Sequence, residues 1–179
     1  TIEPLLDAGF SVIVRPHPIT RKKASNILNE LIIAFGSMQN FRIEENVSDI
    51  NSLIESDVMI SDWSGVALEF AFSMEKPVIF IDVPKKILNE DYQNFEVKPL
   101  EISIREKIGK ILKPQNLKSI ASIVNEISDD KYLVDSIRQI KKLYVYNIGN
   151  SAIHAKNHIL SVLNNAGNWN IIDYIYVRL

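Results

Sequence analysis

Two short polar segments of this sequence carry side chains that could bind an anion. In the first segment, Arg15 and His17 alternate with prolines at the end of the predicted strand Ser11–Arg15. Arginine offers a fork of donors and histidine a titratable one, so the two side chains could together pair with a diphosphate. The alternative is that Arg15 forms a salt bridge at the edge of the sheet and that His17 packs between its neighbouring prolines.

The second polar segment is Ser61–Gly65, with the sequence SDWSG, and it precedes a predicted helix, Val66–Met74. A helix N-terminus carries partial positive charge and unpaired backbone donors, which suits a phosphate group. Gly65 would let a ligand approach the backbone closely. The alternative is that Asp62 or Ser64 only caps the helix.

Glu69 is the one charged residue of the otherwise apolar helix Val66–Met74. A buried carboxylate without a partner is costly, so we expect Glu69 to have one. The partner could be the hydroxyl pair of a ribose, or a structural lysine or arginine. The sequence offers no carboxylate cluster of the kind that a metal ion needs, and we expect no metal.

The elements around these segments alternate between strand and helix. Two apolar runs, Val58–Ile60 and Val78–Ile81, are joined by the helix Val66–Met74, which makes a βαβ unit. With the strands Ser11–Arg15 and Phe41–Glu45, the order predicts an α/β fold, a doubly wound parallel sheet with extra C-terminal helices. Ligands of such sheets bind beyond the carboxyl ends of the strands, where both polar segments lie.

Further helices are predicted from the apolar period of the sequence. They are a helix with Thr20 as its N-cap that ends at Gly36, and then Ile104–Leu112, Leu117–Ile127, Tyr132–Leu143 and Asn150–Leu163.

Composition limits the classes of protein to which the chain can belong. Its 179 residues fit one domain, and its formal net charge of -2 argues against nucleic acid as the main partner. The absence of cysteine suits the cytoplasm, and no apolar run is long enough to span a bilayer. Because Thr1–Gly9 has the pattern of a helix end, we expect a fragment of a longer protein, with one domain over residues 1–167 and a tail, 168–179, without an assigned role.

Three motifs in this order give the chain its resemblance to a known family. RPHP after an early strand, then SDWSG-x-x-x-EF and KPVIF, resemble the C-terminal half of the CDP-glycerol glycerophosphotransferases, over about Ser11 to Asp82. These enzymes are teichoic-acid-type polymerases and primases with the two-domain GT-B fold. The resemblance therefore implies a Rossmann-like domain that holds the donor nucleotide.

The resemblance also assigns roles to single residues. Arg15 and His17 would contact the donor diphosphate, with His17 the candidate for a catalytic phosphate contact. The residues of the phosphate turn would be Ser61, Asp62 and Ser64, and Glu69 matches an acidic position on the following helix. The family usually has threonine at the position of Ser61 and a second serine at that of Gly65, where this chain keeps only the backbone donor.

The reaction implied by the resemblance is attack of an acceptor hydroxyl on the β-phosphate of CDP-glycerol, with CMP leaving, in the synthesis of a cell-surface polymer. It needs positioning and charge stabilisation more than covalent help, and it implies no cofactor. Because the family's proposed base belongs to the N-terminal half, we expect this chain to bind nucleotide without turnover. Its partners would be the nucleotide-activated donor, the N-terminal domain and the inner membrane surface, at a cytoplasmic, peripheral location.

Two alternatives stay open. The same architecture serves glycosyltransferases and epimerases that use a UDP-sugar, and a preference between cytidine and uridine would separate these from a glycerophosphotransferase. A scaffold domain that kept the fold and lost the site would bind no nucleotide.

Overall fold

The computed structural model describes residues 1–46, 48–84 and 99–165. By their internal contacts the residues group into two compact units, Thr1–Ile140 and Lys141–Leu179. The strands are β1 Val12–Val14, β2 Phe41–Ile43, β3 Met59–Ser61, β4 Val78–Ile81 and β5 Gly109–Leu112. The helices are α1 Ile2–Asp7, α2 Pro18–Lys23, α3 Ser25–Phe35, α4 Asn51–Glu55, α5 Val66–Met74, α6 Leu100–Ser103, α7 Arg105–Ile108, a 3₁₀ helix Pro114–Ser119, α8 Ile120–Ser128, α9 Lys131–Tyr144 and α10 Ser151–Asn165.

The strands pair in parallel, as the sequence predicted. β1 pairs with β2, and β4 lies between β3 and β5. In the described part of the chain, these pairs form two separate parallel sheets, of two and three strands, rather than one continuous sheet. The prediction of an α/β fold with parallel strands is confirmed, and the domain is Rossmann-like.

Helices cover both faces of the three-stranded sheet. Alternate residues of a strand point to opposite faces, and β4 follows this rule. Val78 and Phe80 pack in one buried cluster with residues of α5, α7 and α9. Ile79 packs in a second cluster with residues of α1 and α8. The continuous apolar run of β4 is thus explained by burial on both faces, which is the doubly wound arrangement.

The helix α5 joins β3 to β4 and forms the centre of the first cluster. Its buried side chains are Ala67, Phe70 and Ala71, so two small residues flank one large one. The helix ends at Glu75, whose φ of 54° is left-handed and stops the helical hydrogen bonding. The buried Pro77 then starts the return into β4.

The prediction of one helix over Ile104–Leu112 was wrong in its second half. The short helix α7 ends at Ile108, and Gly109–Leu112 is the strand β5, which pairs with β4. The apolar period of these residues fits either element, and pairing with an existing strand decides it. Gly109 permits this pairing, because a Cβ atom there would lie 1.7 Å from the carbonyl oxygen of Val78.

The prediction of Thr20 as a helix N-cap was also wrong. The helix α2 starts at Pro18, with His17 as its N-cap, so Thr20 lies inside it. Proline fits the first turn of a helix because its missing N–H would be unpaired there. The helical pattern that follows is divided between α2 and α3.

The remaining helical predictions are confirmed in outline by α8, α9 and α10. In the second unit, α10 starts after a turn in which Asn147 and Gly149 have φ values of 53° and 78°. The hydroxyl of Ser151 donates to the carbonyl of Asn147 at 2.9 Å. The predicted tail, residues 168–179, lies outside the described residues.

Candidate functional site

A cleft of about 810 Å³ in the first unit is lined by both polar segments. It lies between the strands β1 and β3, whose residues form much of its wall. The predicted site residues in its lining are Arg15, His17, Ser61, Asp62, Ser64 and Glu69. The structure therefore brings together residues that are up to 54 positions apart along the sequence, as the carboxyl ends of parallel strands should.

Arg15 connects the end of β1 to the start of α4. Its Nη1 atom donates to the carbonyl oxygen of Asp49 at 2.6 Å and to the hydroxyl of Ser52 at 2.8 Å. Ser52 is buried, with 3% of its surface exposed. These two hydrogen bonds hold the Arg15 guanidinium at the wall of the cleft.

His17 has a structural contact and an exposed ring. Its Nδ1 atom accepts a hydrogen bond from the backbone N–H of Ile19 at 3.2 Å, which caps α2. Because Nδ1 is the acceptor, the neutral ring carries its proton on Nε2. The imidazole is therefore exposed rather than packed between prolines, and Nε2 can donate to an anion in the cleft.

The turn Ser61–Gly65 leads from β3 directly into α5. Neither Asp62 nor Ser64 caps the helix, because α5 has Gly65 at its N-cap and no side-chain cap hydrogen bond. The alternative that these side chains only cap α5 was therefore wrong. Gly65 is exposed, and among the described residues nothing lies within 4 Å of the position of a Cβ atom there. The N–H groups of Gly65 and Val66 precede the first hydrogen bond of α5, which Ala67 donates to the carbonyl of Ser64, so these two are the backbone donors that an anion could use.

Glu69 differs from the expectation of a buried carboxylate. It is exposed and lies in the lining of the cleft, one turn into α5. Its exposure removes the requirement for a structural lysine or arginine, because water can solvate the carboxylate. Glu69 is therefore available to a ligand in the cleft.

The comparison with protein families identifies the chain. The model of the CDP-Glycerol:Poly(glycerophosphate) glycerophosphotransferase family matches residues 2–152. The chain belongs to this family. It is a glycerophosphotransferase-type domain of a transferase family, and the matched range contains both polar segments and every residue of the cleft lining except Thr1. A comparison with curated proteins gives no match. Within the described ranges, no helix of this glycerophosphotransferase domain combines the length and apolar character needed to cross a bilayer.

Sequence reasoning missed one charged residue of the glycerophosphotransferase domain that lies beside the turn. Arg105 is only 3% exposed, and its Cζ atom lies 3.9 Å from the centroid of the Trp63 ring and 4.7 Å from that of Phe80. Its Nη1 atom is 3.6 Å from a carboxylate oxygen of Asp82. The sequence around it signals little of this burial, because Arg105 is followed by two charged residues, Glu106 and Lys107, although it adjoins the fully buried Ile104.

Burial and nearby carboxylates act in opposite directions on the Arg105 guanidinium. Desolvation lowers the pKa of Arg105, whereas the charges of Asp82 and Asp62 raise it. Arginine keeps its proton in proteins, so the group remains a cation. Its Nε and Nη2 atoms are buried and have no hydrogen-bond partner among the described residues. Arg105 therefore places a permanent positive charge behind the turn.

Proposed function

We propose that the cleft binds CDP-glycerol as the donor substrate of a glycerophosphotransferase. The observation that carries the proposal is that one cleft is lined by Arg15–His17 together with Ser61, Asp62 and Ser64, in a chain that belongs to this family. Its volume of about 810 Å³ lies within the range of small-molecule sites, roughly 300–1,000 Å³.

The diphosphate of the donor is assigned to the carboxyl ends of β1 and β3. Arg15 brings positive charge, and Nε2 of His17 brings an exposed donor. Ser64 contributes a hydroxyl, and the N-terminus of α5 contributes the backbone N–H groups of Gly65 and Val66. Ser61 would complete the wall at the end of β3.

The nucleoside is assigned to the part of the cleft near Glu69. A carboxylate accepts two hydrogen bonds, which matches the paired hydroxyls of a ribose. Asp62 and Glu69 would both repel the donor phosphates, so the phosphates must lie nearer to Arg15, His17 and the N-terminus of α5. Charge alone thus sets the orientation of the donor.

The reaction that follows from this orientation is a phosphoryl-centre substitution. An oxygen of the acceptor hydroxyl forms a bond to the β-phosphorus of CDP-glycerol, the bond to the bridging oxygen breaks, and CMP leaves with the electron pair. The residues of the cleft hold the diphosphate and offset the charge that develops on the leaving phosphate. The base that accepts the hydroxyl proton is expected in an N-terminal domain, so this chain alone should bind the donor without turnover.

A nucleotide titration followed by NMR tests the proposal. CDP-glycerol, CDP, UDP and GDP are added to the 179-residue chain, and amide shifts are mapped. We expect shifts at Arg15–His17 and Ser61–Glu69, strongest with the cytidine ligands. A uridine preference at the same amides would assign a UDP-sugar donor instead. The absence of shifts with every nucleotide would refute nucleotide binding by this chain and would favour a scaffold role.

A matched pair of serine variants sharpens the titration. Ser64→Ala removes a hydroxyl from the cleft, and we expect CDP-glycerol to bind about three- to tenfold more weakly, as for one lost hydrogen bond. Ser119→Ala is the control, because the Ser119 hydroxyl donates to the carbonyl of Asn116 in the 3₁₀ helix, away from the cleft lining. Equal affinity of the two variants would exclude Ser64 as a donor contact.

The full-length protein provides the test of the remaining partners. We propose that it includes an N-terminal domain and works at the inner face of the cell membrane. Sedimentation of the full-length protein with vesicles that contain anionic lipid would show such attachment, and recovery of all protein in the supernatant would contradict it.

A further inference from the structure

Trp63 lies in the middle of the turn but its ring does not face the cleft. Its neighbours Asp62 and Ser64 line the cleft, whereas Trp63 is absent from the lining. The indole Nε1–H donates to the carbonyl oxygen of Val83 at 2.8 Å, just beyond β4. The ring therefore ties the turn to the segment that follows β4, outside the cleft lining.

Arg105 packs against the face of the Trp63 ring. Its guanidinium lies over both Trp63 and Phe80, at 3.9 Å and 4.7 Å from their ring centroids. These are cation–π contacts, which are strongest when the cation is shielded from water, as it is here. The ion pair with Asp82 at 3.6 Å fixes the guanidinium from a third direction.

This arrangement costs stability, which argues for a role beyond packing. Two buried nitrogen atoms of Arg105, Nε and Nη2, have no hydrogen-bond partner in the part of the chain that the structure describes. Buried donors without acceptors are unfavourable, and an apolar side chain of similar volume would fill the same space without this cost. What an apolar side chain would not provide is the positive charge and the attraction to the face of Trp63.

We propose that Arg105 is a positioning residue for donor binding, which stacks on Trp63 and so holds the turn Ser61–Gly65 in the conformation that presents Ser64 and the N-terminus of α5 to the donor phosphates. This inference rests on the proposed function. Arg105 is not in the cleft lining, so it acts through Trp63 rather than by contact with the donor.

The positive charge of Arg105 has a second effect on donor binding. Asp62 and Asp82 place two carboxylates at the ends of β3 and β4, and both interact with the Arg105 cation. Without this cation, the end of the sheet would be more negative and would repel a diphosphate. Removal of Arg105 should therefore weaken donor binding more than the loss of one stacking contact does.

The test compares Arg105→Met and Arg105→Lys with Arg138→Met. Methionine removes the charge and keeps an apolar chain, whereas lysine keeps the charge and loses the planar group that stacks. Arg138 is the matched control, because it is an exposed arginine that pairs with Glu75 and lies outside the cleft lining. All variants carry Trp169→Phe. The chain has two tryptophans, so Trp63 is then the only tryptophan that contributes to the fluorescence.

Three quantities are measured on each variant: the urea stability, the exposure of Trp63 and the Kd for CDP-glycerol. Trp63 exposure is read from acrylamide quenching and from the exchange rate of its indole N–H. For Arg105→Met we expect faster indole exchange, stronger quenching and a Kd raised about tenfold or more, as for a shielded cation–π contact. Arg105→Lys should fall between Arg105→Met and the parent chain, and Arg138→Met should match the parent in Trp63 exposure and in Kd.

A further variant separates charge from stacking. In the double variant Arg105→Met with Asp82→Asn, the Asp82 carboxylate that has lost its ion pair with Arg105 is replaced by a neutral amide. Relative to Arg105→Met alone, we expect part of the affinity for CDP-glycerol to return while Trp63 stays exposed.

The proposal is overturned if Arg105→Met loses stability but keeps Trp63 shielded or keeps the parent Kd, since Arg105 would then be a packing residue only. If Arg105→Met does not fold, Arg105→Lys decides by the same two readouts. If the parent chain itself does not bind CDP-glycerol, the proposed function fails. In that case the Trp63 probes still report whether Arg105 positions the turn.

Discussion

Replacement of Gly109 by alanine tests the part of the fold that sequence periodicity did not reveal, the strand β5. The φ of Gly109 is 176°, an extended value that any residue can adopt, so the effect of Gly109→Ala is one of contact rather than of backbone strain. The new Cβ atom would lie 1.7 Å from the carbonyl oxygen of Val78 and 2.7 Å from its carbonyl carbon. Since both atoms belong to the backbone of β4, no side chain can move aside to make room.

The size of the effect follows from this contact. Real Cβ atoms essentially never approach within 3.0 Å of another heavy atom. The strands must therefore separate by more than about 1 Å, which is too far for the ladder hydrogen bonds near Val78. Loss of two or three such bonds at about 1 kcal/mol each, with some remaining strain, gives a cost of roughly 3 kcal/mol in the free energy of unfolding.

Urea unfolding followed by far-UV circular dichroism measures this cost through linear extrapolation. The control is Gly65→Ala, because among the described residues nothing lies within 4 Å of the Cβ position and the φ of Gly65 is −59°. Its stability should change by less than about 1 kcal/mol. A loss of less than about 1 kcal/mol for Gly109→Ala as well would refute the reasoning, since β5 could not then lie against Val78.

Three further substitutions have expected outcomes that the same unfolding assay checks. Arg15→Met leaves the buried hydroxyl of Ser52 without its 2.8 Å donor and should cost about 1–3 kcal/mol; an unchanged midpoint would contradict the structural role of Arg15. His17→Asn keeps a side-chain acceptor at the N-cap of α2, so its stability should stay within about 0.5 kcal/mol while CDP-glycerol affinity falls; equal donor affinity would remove His17 from the site. Phe70→Ala empties the centre of the first cluster, where Phe70 is 0% exposed, and should cost about 3–5 kcal/mol; a smaller loss would mean that α5 packs differently.

The unit from β3 to β4 could be predicted because each level of the sequence points to the same structure. The apolar runs, the polar turn and the small residues of α5 agree with a buried βαβ unit, and Phe70 and Val78 are fully buried as that unit requires. The strand β5 could not be predicted in this way. The pattern of its four residues fits a helix as well as a strand, and their conformation depends on pairing with β4 across 31 positions of sequence from Val78 to Gly109.

In the candidate site, too, local features could be predicted from the sequence and contacts between distant residues could not. The residues of the two polar segments stand out locally, because polar side chains directly follow apolar strands. The exposure of these side chains cannot be predicted from the local sequence in the same way. Glu69, for example, is exposed to solvent although its neighbours Ala67 and Phe70 are buried. The contact between Trp63 and Arg105 joins residues that are 42 positions apart, and nothing at either position indicates the other.

The separation of the strands into two sheets has a mechanical consequence for the cleft. His17 follows the sheet of β1 and β2, whereas Ser64 follows the sheet of β3, β4 and β5. Among the described residues, no hydrogen-bond ladder joins β1 to β3, so the span between the two segments is held by apolar packing and by side-chain bonds such as those of Arg15. Apolar packing is non-directional and yields to sliding, whereas a ladder fixes both distance and register. A ligand that touches both segments therefore acts as a brace between the two sheets, in the place that a cross-sheet ladder would otherwise occupy.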